Sequence, residues 1–201
     1  GVAVLDYDGD GRPDLYFVND RVGNRLFRNR GDGRFEETTA ETGAGVLGER
    51  PRAGMGVAVG DPFGDGIPSL FVTNFGGEPN SFYRNVQGTL FEDVGEKSGA
   101  GGIGVPWVRW GTHFADFDND GLPDLYAVGG HLAPRIVRLL GHYRSGEAKY
   151  VEAGDPAFAQ PSVLLHNLGG GRFAPWKDAG DLDSVRMVAR GSVVADLDGD
   201  G

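Results

Sequence analysis

Short apolar runs punctuated by Gly, Asp, Asn and Pro recur along the chain and predict units of four strands each. The first strand of a unit is Val2–Leu5, Val57–Gly60, Thr112–Ala115 or Ser192–Ala195, always approached through a glycine (Gly1, Gly56, Gly111, Gly191). An acidic loop follows, then a second strand at Leu15–Val18, Leu70–Thr73 or Leu125–Val128. The third strand carries Leu26-Phe-Arg-Asn29, Phe82-Tyr-Arg-Asn85 or Leu164-Leu-His-Asn167. A Gly-rich turn such as Gly31-Asp-Gly33 closes a hairpin onto a fourth strand starting near Phe35, Phe91 or Phe173. The second strands are apolar at successive positions instead of alternating, so both of their faces are expected to be buried.

Two motifs keep register with these strands. Asp6-Tyr-Asp-Gly-Asp-Gly-Arg-Pro-Asp14 recurs at Asp61–Ser69 and Asp116–Asp124 and begins again at Asp196, at intervals of 55, 55 and 80 residues. The Asn and Phe of the third and fourth strands stay six residues apart in all three units. A repeat of this length built from four strands, buried on both faces, reads as the blades of an all-β propeller, with an open solenoid of hairpins as the alternative. The expected units are 1–53, 54–108, 109–189 and the start of another at 190–201, so the chain is a propeller fragment of three four-stranded antiparallel blades plus the first strand of a fourth. The long third interval is one extended connection, an insert over 130–160, with a short helix expected within Pro134–Leu140. The chain opens at a first strand and stops within a loop motif, which reads as an arc cut from a larger ring.

Composition agrees. Thirty-six Gly and eleven Pro disfavour a helical protein, while 39% hydrophobic residues, with 12 Phe, are enough for a core. Without Cys there are no disulfides or thiolate metal sites. The net charge of -10 is concentrated: of 20 Asp, 13 lie in the four loop motifs. Clustered carboxylates repel unless a cation lies among them, so the clustering points to metal, and the balance disfavours nucleic acid. No apolar run is long enough to span a bilayer.

Carboxylates at positions 1, 3, 5 and 9, with a carbonyl at position 7, can surround a hard cation with oxygen, as calcium requires. Loop one offers Asp6, Asp8, Asp10 and Asp14 with the Arg12 carbonyl. Loop three offers Asp116, Asp118, Asp120 and Asp124 with the Leu122 carbonyl. Gly11 and Gly121 supply the sharp turn, and Pro13 and Pro123 fix the exit into the next strand. An EF-hand would need a Glu at position 12, where Phe17 and Ala127 stand. Loop two keeps only Asp61 and Asp65; Phe63 and Ser69 replace the other carboxylates, so it is expected to be a weak site or a metal-free turn plugged by Phe63. The last loop offers Asp196, Asp198 and Asp200.

The loops resemble those of FG-GAP/VCBS repeats, the unit of integrin-α-type propellers. The fuller pattern is similar to the cartilage acidic protein family and its ASPIC/UnbV-related members. The residues that carry the likeness are Gly56-Val-Ala-Val-Gly-Asp61, Asp116–Tyr126, Asn24-Arg-Leu-Phe-Arg-Asn29 and Arg190–Asp198. The resemblance implies a secreted or surface protein (in bacteria, periplasmic or cell-surface) with structural calcium and no catalytic centre. It also implies seven blades, about 385 residues at this repeat length.

The leading expectation is thus a non-catalytic, calcium-binding extracellular scaffold for a protein or matrix partner. A carbohydrate-binding propeller is the second reading; Trp107, Trp110 and Trp176 do not recur at matching positions, which counts against it. A polysaccharide-active enzyme is the third, resting on Arg109, His113 and His131. Partner binding is expected on the face opposite the acidic loops, which bears the 130–160 insert. There Arg135, Arg138, Arg144 and Lys149 suit an anionic protein or polysaccharide.

Overall fold

Four-stranded antiparallel sheets form at the first three sets of repeated apolar runs. The structure is a computed structural model that describes residues 1–45, 51–103, 105–131, 158–197 and 199. Blade one comprises β1 (Val2–Leu5), β2 (Asp14–Phe17), β3 (Arg25–Asn29) and β4 (Phe35–Glu37), followed by a helical turn, α1 (Thr39–Thr42). Blade two repeats this with β5 (Gly54–Gly60), β6 (Ser69–Asn74), β7 (Ser81–Val86), β8 (Leu90–Asp93) and α2 (Gly95–Ser98). Blade three joins β9 (Arg109–Ala115), β10 (Asp124–Gly129), β12 (Val163–Asn167) and β13 (Phe173–Pro175). A small ribbon pairs β11 (Gln160–Pro161) with β14 (Arg186–Met187). The chain is all-β with the strand order of propeller blades.

The register explains both sequence motifs. The residue before each acidic loop pairs with the ninth residue of that loop: Leu5 with Asp14, Gly60 with Ser69, Ala115 with Asp124. The loop is therefore a hairpin connection held to one length. The six-residue Asn–Phe spacing is a cross-strand pair, Asn29 with Phe35, Asn85 with Phe91 and Asn167 with Phe173. Position 6 of each of the first three loops has a positive φ (Gly11 82°, Gly66 79°, Gly121 89°), where a β-carbon would be strained.

Cores form between blades, not within them. One joins Leu5, Tyr7, Tyr16 and Leu26 of blade one to Leu70, Val72, Tyr83 and Phe91 of blade two. The next joins Ala58, Phe71 and Phe82 of blade two to Leu125, Leu165 and Phe173 of blade three. All six residues of β6 are buried because successive side chains enter opposite cores. Phe82 is the centre of the second core, with rings of Phe63, Phe71, Phe114 and Phe173 at centroid distances of 5.5, 6.0, 6.1 and 5.8 Å. Each such pair is worth about 0.5–1.5 kcal/mol beyond area burial.

Close approach of successive inner strands accounts for Gly1, just before β1, and for Gly56 and Gly111, near the starts of β5 and β9. A β-carbon on Gly1 would stand 2.9 Å from Met55 O, one on Gly56 2.0 Å from Trp110 O, and one on Gly111 2.7 Å from Ser192 N. Among the described residues nothing covers the face of blade one away from blade two. Val2 (59% exposed), Val4 (61%), Phe17 and Phe35 sit where Val57, Val59, Val72 and Phe91 pack against blade one.

Several expectations are modified. β5 and β9 start earlier than the apolar pattern indicates, each with a register irregularity before regular pairing. Ser192–Ala195 forms no strand, since it has no ladder partner among the described residues. It lies along β9, held by the Gly111 amide donating to Arg190 O (3.2 Å) and by His113 Nε2, 2.6 Å from Ser192 O. A hydrogen bond to that carbonyl needs the proton on Nε2. The helical turns α1 and α2 are four residues each, too short for periodicity to mark. The proposed helix at 134–140, the basic residues Arg135, Arg138, Arg144 and Lys149, and Asp198 and Asp200 lie outside the described residues.

Candidate metal centre

Each acidic loop closes on itself through its first aspartate. Asp6 Oδ1 accepts from the Asp10 amide (3.1 Å) and Oδ2 from the Gly11 amide (2.8 Å); Asp116 does the same with Asp120 (3.1 Å) and Gly121 (2.8 Å). Asp61 repeats the pattern with Asp65 (3.2 Å) and Gly66 (2.7 Å). The fifth-position carboxylate caps the turn by accepting from the seventh amide: Asp10 from Arg12, Asp65 from Ile67, Asp120 from Leu122. This skeleton needs only positions 1 and 5, so loop two folds like the others.

The differences lie at positions 3 and 9. Asp14 is fully buried and accepts from the amides of Tyr7 (3.1 Å) and Asn29 (2.7 Å). Asp124, also fully buried, accepts from Phe117 (3.1 Å) and Asn167 (2.8 Å). Burial pushes both carboxyls above the usual range against the pull of those amides. Neither has an ion-pair partner among the described residues. In loop two Ser69 takes the ninth position, and its hydroxyl accepts the Asn85 amide at 3.3 Å. Phe63 turns inward from position 3 and stacks on Phe82 at 5.5 Å and 28°.

Three potential ligand sets come together. The ligand atoms of Asp6, Asp8 and Asp10 lie within 4.8 Å of one another, as do those of Asp116, Asp118 and Asp124, and those of Asp118, Asp120 and His166. Asp196 Oδ1 accepts from the Gly199 amide (2.7 Å), the start of the same loop turn.

A cationic or ionisable side chain that sequence reasoning passed over faces each of the first three loops. It is the residue just before the third-strand Asn. Arg28 Nε lies 2.6 Å from Asp8 Oδ2 and its Nη2 3.3 Å from Asp10 Oδ2; Arg12 also pairs with Asp10. Arg84 Nη2 lies 3.2 Å from Asp65 Oδ2 while its guanidinium covers the Phe63 ring at 4.4 Å. His166 Nε2 lies 3.3 Å from Asp118 Oδ2 and 3.7 Å from Asp120 Oδ2. Desolvation acts to raise the Asp10 carboxyl, but the Arg12 amide and the Arg28 and Arg12 guanidiniums outweigh it and hold it below the ordinary range.

The signature Asn is an inter-blade staple. Asn85 Nδ2 donates to Tyr7 O of loop one (2.8 Å), and Asn167 Nδ2 donates to Pro62 O of loop two (3.0 Å), in each case the second-position carbonyl of the preceding blade. The loops are thereby locked to the blade that follows.

The residues on which an enzyme would rest have separate attachments. Arg109 is buried, donates to Pro161 O, and is brought by desolvation down to about 10. His113 holds Ser192 O, and the His131 ring lies 5.7 Å from Phe75. The tryptophan faces are occupied too: Arg190 over Trp110 (4.7 Å), Arg186 over Trp107 (5.9 Å) and His166 beside Trp176 (5.0 Å).

Comparison with known proteins places these features. The profile of the FG-GAP-like repeat matches residues 6–72 and again 61–127, each span running from one acidic loop into the second strand of the next blade. Cartilage acidic protein 1 of Homo sapiens is 28% identical over 210 residues, covering 100% of this chain and 26% of that protein. Cartilage acidic protein 1 of Xenopus tropicalis is 27% identical over 203 residues, covering 100% and 27%. The chain thus spans about a quarter of the length of the curated relatives it matches. The repeat match takes in more than half of the 201 residues and falls on the loops and strands whose geometry is described above, so the chain belongs to the FG-GAP-like repeat family.

Proposed function

We propose that the chain is a calcium-stiffened, non-catalytic propeller scaffold that binds an extracellular protein or polysaccharide. The observation that carries the calcium reading is the pair of buried carboxylates, Asp14 and Asp124. Each is raised by burial and, among the described residues, hydrogen-bonded by backbone amides alone, beside further aspartates whose ligand atoms cluster within 4.8 Å. An all-oxygen donor set of this charge suits a hard cation. Asp6, Asp8, Asp10 and Asp14 with the Arg12 carbonyl would hold calcium in loop one. Asp116, Asp118, Asp120 and Asp124 with the Leu122 carbonyl would hold it in loop three, and Asp196, Asp198 and Asp200 would contribute to the last loop. Bound calcium would supply positive charge that offsets carboxylate repulsion.

Secretion or surface display is supported by the relatives named cartilage acidic protein 1. Partner recognition is assigned to the face opposite the acidic loops, where the 130–160 connection emerges and loops vary on a rigid frame. None of the described helices is long and apolar enough to cross a membrane. The occupied Trp faces argue against a lectin platform. Thermal melts with chelator and with added calcium test the proposal. The expected result is a lower melting temperature in chelator that calcium restores, and an unchanged melt at low salt would refute structural calcium.

A further inference from the structure

The residue before the third-strand Asn is Arg in blades one and two and His in blade three, and all three side chains face their own acidic loop. An arginine there is a permanent cation that cannot coordinate metal, whereas an imidazole is a nitrogen ligand. From this substitution and its geometry we infer that loop three contains a mixed nitrogen–oxygen site, Asp118, Asp120 and His166, for a zinc-class divalent transition ion.

The spacing fits such an ion. Zinc bonds of about 2.0–2.2 Å to nitrogen and oxygen give a tetrahedron with edges of about 3.3–3.6 Å. His166 Nε2 stands 3.3 Å from Asp118 Oδ2 and 3.7 Å from Asp120 Oδ2, so two of the three edges are within tenths of an ångström of such a tetrahedron, and all three ligand atoms lie within 4.8 Å of one another. The Nε2 atom is shut off from solvent and makes no hydrogen bond, although it points at two carboxylate oxygens. The ring is held from the side by Trp176 at 5.0 Å. Asp120 is oriented as well: its Oδ1 accepts the Leu122 amide at 2.8 Å, which leaves Oδ2 toward the imidazole. Three protein ligands and a remaining open position match the donor count of an accessible zinc site.

The spacing alone would admit calcium; the nitrogen selects the ion, because calcium prefers oxygen and borderline ions accept imidazole. Asp118 belongs both to this set and to the set with Asp116 and Asp124, so the two ions compete for loop three. The inference rests on the reading of the loops as cation sites, but not on calcium being their resident.

Calorimetric titration of the purified chain with zinc chloride, and separately with calcium chloride, tests it. One zinc should bind. His166→Gln should weaken zinc by about 100-fold or more, since even an outer partner of a ligand is worth about 10–100-fold, while leaving the calcium response intact. Cobalt(II) should give the visible absorption of a tetrahedral nitrogen–oxygen site in the parent chain and lose it in His166→Gln. Arg28→His, which places the blade-three residue in blade one, should create a second zinc site and does not depend on the first variant folding. Absence of zinc binding, zinc binding indifferent to His166→Gln, or no second site in Arg28→His would each overturn the inference. Zinc bound through His166 in a chain whose melt ignores calcium would sustain it and refute the calcium reading instead.

Discussion

Loop two lacks two carboxylates that loops one and three share, at positions 3 and 9, and these two changes move it from electrostatics toward packing. All three share the hydrogen-bonded frame set by the first and fifth aspartates. In loops one and three a fully buried carboxylate at position 9 ties two amides together. Ser69 offers one weaker contact, and Phe63 gives up a ligand position to join the aromatic core around Phe82. Arg84 then neutralises the remaining Asp65 and covers the Phe63 ring. Folding the turn and offering metal ligands are thus separable: positions 1, 5 and 6 make the turn, and positions 3 and 9 set how many carboxylates it presents.

The sharpest way to break this contrast is Asp124→Ala. It strands two buried amides, at about 1–3 kcal/mol each, for a loss of about 2–6 kcal/mol in urea unfolding done without metal. A loss below about 1 kcal/mol would mean that the carboxylate serves the cation alone. Next is Phe63→Ala, expected to cost about 3 kcal/mol, near the low end for core phenylalanines because the ring is only partly buried. Combining Phe63→Asp with Ser69→Asp should accept that loss and in return confer a calcium response on loop two, read as a new calcium-dependent rise in melting temperature.

Calcium itself comes third. At about 100 times its dissociation constant, each occupied loop adds about 2.7 kcal/mol. Asp6→Ala or Asp116→Ala should remove one such increment from the calcium-dependent melt, and Asp61→Ala should remove none. If Asp61→Ala is as damaging to the calcium response as Asp6→Ala, the distinction between the loops is wrong. Ser69→Ala is the smallest change, about 1 kcal/mol for one hydrogen bond, measured by the same urea unfolding.

Much of this was legible in the chain because a repeat reports its own register. The Asn–Phe spacing marked a cross-strand pair, the loop length marked a fixed hairpin, and the doubly apolar second strand marked blade-on-blade burial. The double burial is complete only in β6. Phe17 and Phe35 of blade one carry the same sequence signal but remain exposed, since burial depends on a neighbouring blade and not on the residue. The glycine early in each inner-strand segment was visible as a pattern, yet its reason, backbone carbonyls and amides of the next blade within 3 Å of a β-carbon, is a tertiary distance.

By itself the sequence determined the fold class, the four-strand unit, the position of the acidic loops and the reduced charge of loop two, because each depends on local pattern and on chemistry repeated in register. Only the tertiary structure decided which side chain faces each loop, that Asn85 and Asn167 staple one blade to the loop before it, and that Asp14 and Asp124 are buried on amides. Those facts depend on strands separated in sequence meeting across a sheet or across blades. There the pairing of Arg28, Arg84 or His166 with its carboxylates is set by register and twist, which no single stretch of residues encodes.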